Sequence, residues 1–240
     1  QRIDSSYSWV YQLKGDITAQ LGRHHQLEAG ISLRLQDLFV YTGTWFQSQL
    51  SYTPDTWEYY DATPLEIGVY AQDKLEFEGM TLNAGLRLDY LNPMKMGYQT
   101  EFPLSEEYRK LYADIYSNLP GGAGTYERWL AFRDLMADPP GWPTAENRVQ
   151  VYLSPRLGVA FPITEASKMY FNYGHFYQRP AGSFMYNTQL NLGSVAVPPP
   201  DLDMARTVSY EFGYEQMILN DFIVNVVAYY KDVQGEPLTR

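Results

Sequence analysis

The sequence contains no cysteine, and only three of its 240 residues are histidine. The missing thiols exclude a disulfide framework, a thiolate metal site and a cysteine nucleophile. His24 and His25 follow a glycine in a segment with turn character, with no carboxylate pair beside them, so we interpret them as solvated turn residues. An enzyme of the hydrolase type needs a nucleophile with a general base within hydrogen-bond reach, and the three histidines do not form such a pattern with a nucleophile and an acid. The sequence therefore predicts no metal site, no cofactor and no enzyme activity.

Long hydrophobic runs and an excess of basic residues are also missing. The uninterrupted apolar runs are only a few residues long, whereas a membrane-spanning helix needs roughly 18 or more. The net charge is −10, which argues against a nucleic-acid partner, because phosphate binding relies on clustered lysine and arginine. The N-terminus begins Gln1-Arg2-Ile3 and does not resemble a signal peptide. We therefore expect either that a leader has been removed or that the sequence is a piece of a longer chain.

Aromatic residues are abundant, at 16% with 22 tyrosines, and apolar residues alternate with polar ones over long stretches. In the stretch VQVYLSPRLGVAF, which begins at Val149, every odd position is apolar and the positions between are polar or small. A period of two predicts β-strands with one apolar face. The same period predicts eight strands, at 9–21, 27–35, 65–77, 80–90, 149–161, 169–177, 208–214 and 222–230. The only charged residue on the apolar side of the third stretch is Asp73.

The connections between these strands alternate strictly in length. Short turns are predicted near 22–24, 78–79, 163–167 and 219–221, and long segments cover 42–62, 92–147 and 179–205. Transmembrane β-barrels have this order, with tight turns on the periplasmic side and long loops outside. A bilayer-spanning strand needs about 9–11 residues, which most of these stretches supply. Aromatic residues near the strand ends fit the girdles at the lipid boundary, and His175 is interpreted as one of these interfacial residues.

The predicted fold is therefore all-β, an antiparallel transmembrane β-barrel. The longest loop, 92–147, is expected to contain short helices at about 105–115 and 125–137. Both chain ends fall on the long-loop side, whereas complete bacterial barrels usually keep both ends on the periplasmic side, so we expect about eight strands of a larger barrel. Two alternatives stay open: a complete small barrel with a structural or adhesive role, and a soluble β-sheet binding module.

Three stretches resemble a known family. IGVYAQDKLEFEGMTLNAGLRLDYLNP (67–93), LSPRLGVAFPITEASKMYFNYGHFYQRP (153–180) and PPDLDMARTVSYEFGYEQ (199–216) are similar to the barrel of TonB-dependent outer-membrane receptors. The resemblance covers about a third of the chain and depends on the order and spacing of its motifs. It implies a 22-stranded barrel in the bacterial outer membrane, an N-terminal plug inside it, and energy supplied through the TonB complex. Residues 1–240 would then be one partial barrel domain, with 92–147 as an extracellular loop and with no plug domain.

Such a receptor would take up a scarce solute, for which an iron chelate, cobalamin, a glycan or a peptide are all candidates. Its partners would be outer-membrane lipid, its own plug, the TonB complex through that plug, and the solute. Ligand contacts are predicted only from position, at aromatic residues of the loops: Trp45, Phe46, Trp57, Tyr59, Trp129, Trp142, Phe184 and Tyr186. Residues predicted to face the lumen or the plug are Arg87, Arg156, Glu211 and Glu215.

Overall fold

A computed structural model describes residues 2–44, 56–94, 97–98, 144–145, 148–186, 188–191, 194–196, 202–219 and 221–235. Both predicted loop helices lie outside these residues, as do Trp45, Phe46, Trp129 and Trp142. The strands are β1 (Arg2–Asp4), β2 (Tyr7–Leu21), β3 (His25–Thr44), β4 (Thr56–Ala62), β5 (Leu65–Phe77), β6 (Met80–Asn92), β7 (Gly97–Tyr98), β8 (Thr144–Ala145), β9 (Gln150–Thr164), β10 (Ser167–Gln178), β11 (Thr188–Asn191), β12 (Ser194–Ala196), β13 (Ala205–Ile218) and β14 (Phe222–Gln234). One short helix, α1, covers Gly182–Tyr186.

The eight predicted strands are confirmed as the long strands of a single antiparallel sheet. Their order is β2-β3-β5-β6-β9-β10-β13-β14, so strands that are consecutive along the chain are neighbours in space. Within the described residues β2 and β14 each pair with one strand and not with each other. These eight strands therefore form an open sheet and do not close into a small barrel. The described part of the chain has no helix long and apolar enough to cross a bilayer.

The segment predicted as the loop 42–62 is partly β-structure. Strand β3 runs on to Thr44, and β4 pairs with this extension in the register Leu38↔Ala62 to Thr44↔Thr56. The short strand β11 then pairs with β4, and β12 with β11. At the base of the longest loop, β7 pairs with β8. Strands β4, β11 and β12 thus continue the main sheet, whereas β7 and β8 form a separate two-stranded sheet. The end of the main sheet from which the long connections leave is called the loop end, and the opposite end, with the short turns, is the turn end.

One face of the sheet, called the apolar face, is built from rows of mainly hydrophobic residues that cross neighbouring strands. One row runs Gly15–Ile31–Val69–Leu88–Leu153, and another runs Leu21–His25–Leu75–Leu82–Val159–Phe171–Phe212–Ala228. On the central strands Val69, Leu86 and Leu153 are 47%, 48% and 50% exposed. No second layer of described residues covers this face, as the packing of a soluble β-sandwich would require.

The stagger of the hairpins gives the strand tilt. Ala19 and Tyr210 lie on one hydrogen-bonded row that takes six steps from β2 to β13. Ala19 is two residues before Leu21, the last residue of β2, whereas Tyr210 is eight residues before Ile218, the last residue of β13. The turns therefore shift by about one residue for each strand. With a rise of about 3.3 Å per residue and about 4.8 Å between strands, that stagger corresponds to a tilt of about 35°. This is the tilt of strands in closed barrels.

Asp73, a charged residue on the apolar face, has a partner that its sequence position does not reveal. His25 Nδ1 lies 2.7 Å from Asp73 Oδ2, near the turn end. His25 is therefore more than a solvated turn residue, because it supplies a hydrogen-bond donor to a carboxylate otherwise surrounded by Leu27 and Ala84 on adjacent strands. The neighbouring His24 stacks on Phe77 with ring centroids 5.5 Å apart.

We expect His25→Ala to lower the free energy of unfolding in lipid vesicles by about 1–3 kcal/mol, because Asp73 would lose its donor in an apolar setting. The measurement is urea unfolding of the complete protein that carries this chain. Replacing Asp73 by leucine in the His25→Ala background should recover most of the loss, since no unpaired carboxylate remains. Strictly additive effects of the two substitutions would show that the pair is not coupled.

Candidate functional site

A small hydrophobic core, called the mouth cluster, lies at the loop end. It consists of Ala62, Leu91, Met185, Tyr186 and Met204, all at most 9% exposed. Helix α1 supplies two of these residues, so the segment after β10 folds back onto the sheet. Leu91 faces the same side of β6 as Arg87 and Asp89 because alternate residues of a strand share a face. The cluster therefore lies on the polar face of the sheet, opposite the apolar face.

Residues 202–204 are fastened to β9 beside this cluster. Gln150 Nε2 donates to the Leu202 carbonyl at 2.7 Å, and the Met204 amide donates to the Tyr152 hydroxyl at 3.1 Å. Asp203 forms an ion pair with Arg148. These bonds fasten Leu202 and Asp203 before β13 and hold Met204 in the mouth cluster.

An ion pair fixes the entrance to α1. Arg179, directly after β10, places Nη1 2.9 Å from Oε1 of Glu66 on β5, and its side chain is only 17% exposed. Arg34, opposite Glu66 on β3, places Nη1 3.9 Å from the other carboxylate oxygen. Neither Glu66 Oε1 nor Arg179 Nη1 has a well-aligned hydrogen-bond partner among the described residues. One carboxylate thus lies between two guanidinium groups, which leaves one positive charge in excess.

Arg87 lies on β6, next to β5, and its guanidinium lies flat over Gly68 of β5. Its Nε is 2.9 Å from Asp89 Oδ1 and 3.0 Å from Oδ2, so the two side chains on this face of β6 form a closely matched pair. A Cβ on Gly68 would overlap the Arg87 guanidinium, so glycine at this position leaves the room that the arginine occupies. Arg87 is oriented by both contacts.

Arg156 differs from Arg34, Arg87 and Arg179 because no carboxylate of the described residues forms an ion pair with it. Its guanidinium carbon lies 5.0 Å from the centroid of the Phe176 ring, a cation–π arrangement. It sits opposite Gly85 and diagonally next to Arg87 across the β6–β9 pair. The Phe176 ring therefore orients the Arg156 guanidinium, and no carboxylate of the described residues neutralises its charge.

Two cavities of the polar face adjoin each other at Arg156. The one nearer the loop end, called here the arginine cavity, measures about 330 Å³, and its charged lining residues are Arg34, Glu66, Arg87, Asp89, Arg156 and Arg179. The other is an open groove of about 560 Å³ along the middle of the sheet, lined by the amides of Gln72, Asn83 and Asn172 together with Lys74, Arg156 and Glu211. Arg156 belongs to both. Among the described residues no group of three or more His, Asp or Glu side chains is arranged to bind a metal ion.

The structure places all four residues predicted to face a lumen on this polar face. Glu211 accepts a hydrogen bond from Asn172 Nδ2 at 3.1 Å, and Glu215 lies 3.0 Å from Lys168 Nζ. Arg87 and Arg156 meet in the arginine cavity, whereas Glu215 lies towards the turn end and lines neither of these two cavities. Whether these side chains contact a plug stays a prediction.

The predicted ligand-contact aromatics of the described residues have different surroundings. Tyr59 is 8% exposed and packs edge-on against Phe39 and Tyr41. Tyr186 is 2% exposed within the mouth cluster, and Phe184 on the same helix is partly exposed. Trp57 lies in β4, paired with Gly43 and Leu190. Ligand contact by these residues stays a prediction.

Tyr186 also carries a buried polar atom. Its hydroxyl has no hydrogen-bond partner among the described residues, and burial raises its pKa to about 12. Burial likewise raises the pKa of Tyr60, whose ring lies 6.3 Å from that of Tyr186. Both phenols are therefore neutral at any physiological pH.

Sequence reasoning missed a polar cluster that joins strands β2, β3 and β5. The Tyr70 hydroxyl lies 2.6 Å from Asp16 Oδ1 and 2.9 Å from Glu28 Oε1, and the Tyr70 ring covers Gly30. Lys14 Nζ is 3.0 Å from the second oxygen of Asp16. The alternating pattern places each of these residues on the polar face, but only the register brings them together.

Comparisons with known proteins agree with this architecture. A family model described as TonB dependent receptor-like, beta-barrel, matches residues 1–240. The fold is similar to the copper transporter OprC, with a TM-score of 0.56, 15% identity, and coverage of 95% of this chain and 31% of that chain. It is equally similar to the closed form of the ferric-catecholate import receptor Fiu from E. coli K12, with a TM-score of 0.56, 14% identity, and coverage of 97% and 32%.

The chain thus spans about a third of the length of these two structures. No curated protein matches it. The match over all 240 residues, together with the open antiparallel sheet and its two distinct faces, means that the chain belongs to the TonB-dependent receptor-like β-barrel family.

Proposed function

We propose that this chain is part of an outer-membrane receptor that takes up a scarce solute with energy supplied through TonB. The observation that carries the proposal is the apolar face, which no second layer of described residues covers and of which one row crosses all eight long strands, while amides and most charges lie on the other face. Acyl chains are the environment in which such a face is stable, and a closed barrel satisfies the backbone groups at the sheet edges. The family match to a receptor supports a role other than catalysis.

In this proposal the polar face lines the lumen. Arg87, Arg156 and Glu211 contact the receptor's own plug or line the path that opens when the plug moves, and Glu215 does so nearer the periplasm. Residues 1–240 form one partial barrel domain, with 92–147 as an extracellular loop. The TonB complex is engaged through the plug, which lies outside this sequence.

Ligand recognition is proposed for the loop aromatics. Phe184 is the strongest of these candidates because it lies in α1 at the loop end and is partly exposed. Tyr59 and Tyr186 are buried and pack against their neighbours. Trp57 is proposed on its position in β4 at the loop end, and Trp45, Phe46, Trp129 and Trp142 on their loop positions alone. Iron chelates, cobalamin, glycans and peptides remain the candidate solutes.

Growth under solute limitation tests the transport role. A strain lacking the complete gene should fail to grow on one limiting solute from a panel of ferric chelates, cobalamin, glycans and peptides, and a strain lacking TonB should fail on the same solute. Complementation with the wild-type gene restores growth. Normal growth of the deletion strain on every solute, with the protein present in the parent outer membrane, would contradict a role in uptake.

A further inference from the structure

We propose that the arginine cavity is an anion site that receives a carboxylate or phosphate group of the incoming solute. This inference rests on the proposed uptake function and adds the chemistry of the ligand to it. The lining brings four guanidinium groups and only two carboxylates together, so the cavity has an excess of two positive charges among the described residues. A neighbouring negative group is the natural partner of such a cavity.

The four arginines are not equivalent, and their contacts identify the binding groups. Asp89 neutralises Arg87, and Glu66 is shared between Arg34 and Arg179. Arg156 forms no ion pair with a described residue, and its guanidinium is held 5.0 Å from the centroid of the Phe176 ring. Because a planar guanidinium can bind a carboxylate or phosphate through two parallel N–H groups, Arg156 is the primary anion contact.

The position of the cavity near the loop end favours an incoming solute over a segment of the plug as its occupant. Arg179 and Met204, which belong to the segments beyond the strands at the loop end, form part of its lining. The volume of about 330 Å³ accommodates one small group or the charged end of a larger molecule, at the lower end of the range for ligand pockets. Arg179 Nη1 has no well-aligned hydrogen-bond partner among the described residues, so this lining side chain keeps a donor for an anionic ligand.

Calorimetric titration of the complete detergent-purified protein with inorganic phosphate, at constant ionic strength, tests the site. Wild type should bind phosphate saturably, and Arg156→Gln should weaken binding about tenfold or more, since a charged hydrogen-bonding partner is lost. Arg156→Lys keeps the charge and should bind with intermediate affinity. Arg23→Gln removes the same charge in the first short turn, at the opposite end of the sheet, and should bind as wild type does.

A shift in gel mobility on heating verifies that each variant is folded before titration. Absence of saturable phosphate binding by folded wild type would overturn the proposal. Arg156 would then be assigned an ion pair with a carboxylate of the complete protein itself. Equal affinities of wild type and folded Arg156→Gln would overturn it as well. Because these measurements report binding and not uptake, either result would leave the growth test of the transport role to be judged separately.

Discussion

Leu86→Arg should sharply reduce the amount of folded protein in the outer membrane. Leu86 lies on the apolar face, in register with Ala71 and Pro155 and flanked along its strand by Ala84 and Leu88. An arginine facing lipid near the midplane costs about 2–4 kcal/mol, a large part of the stability of most domains. The measurements are the fraction of outer-membrane protein that migrates as the folded species without heating, and urea unfolding in lipid vesicles.

Asn83→Arg is the matched control. Asn83 is on the same strand but on the polar face, where it lines the open groove. A surface substitution of this kind usually changes stability by less than about 0.5 kcal/mol, so the control protein should assemble normally. Equal assembly of the two variants would mean that the apolar face does not contact lipid, and the membrane orientation of the sheet would have to be abandoned.

Gly213→Val should destabilise the fold by about 1–3 kcal/mol through overpacking. Gly213 on β13 lies directly opposite Tyr170 on β10, and the tyrosine ring lies over the glycine. A Cβ at this position would overlap the ring, so the ring or the strands must move. Urea unfolding of the complete protein in vesicles measures the change, and a shift of the midpoint with an unchanged slope would indicate a loss of stability alone.

Two further variants separate the clash from a general intolerance of branched residues. Tyr170→Ala combined with Gly213→Val should be more stable than the sum of the single losses predicts, because the smaller side chain removes the overlap. Gly15→Val should be nearly neutral, since no described atom lies within 4 Å of the added Cβ. If Gly15→Val were as harmful as Gly213→Val, the effect would come from the loss of glycine itself and not from the Tyr170 ring.

The glycines of the polar face explain how large side chains lie flat within the lumen. Tyr70 covers Gly30, Arg87 covers Gly68 and Tyr170 covers Gly213, each across one strand boundary. The sequence shows these glycines only as small residues on the polar side of the alternation. Which side chain fills each space depends on register, and therefore on the pairing of strands.

The loop end is where sequence reasoning was least informative. It treated 42–62 and 179–205 as loops, whereas the structure has strand extensions, α1 and a buried cluster there. Apolar and polar residues do not alternate regularly in these segments, so the sequence does not predict their conformation. That conformation is stabilised by contacts with distant strands. The Arg179–Glu66 pair is an example, since neither residue has a sequence neighbour that suggests the other.

The sequence by itself determined the eight long strands, their two faces and the alternation of short and long connections. These properties are local, because a residue's face follows from its position in the strand and a turn follows from the residues that form it. Only the tertiary structure decided the tilt, the His25–Asp73 pair and the gathering of Arg34, Arg87, Arg156 and Arg179 around one cavity. These depend on register between strands and on segments that fold back over the sheet, and such long-range contacts leave no periodic signal along the chain.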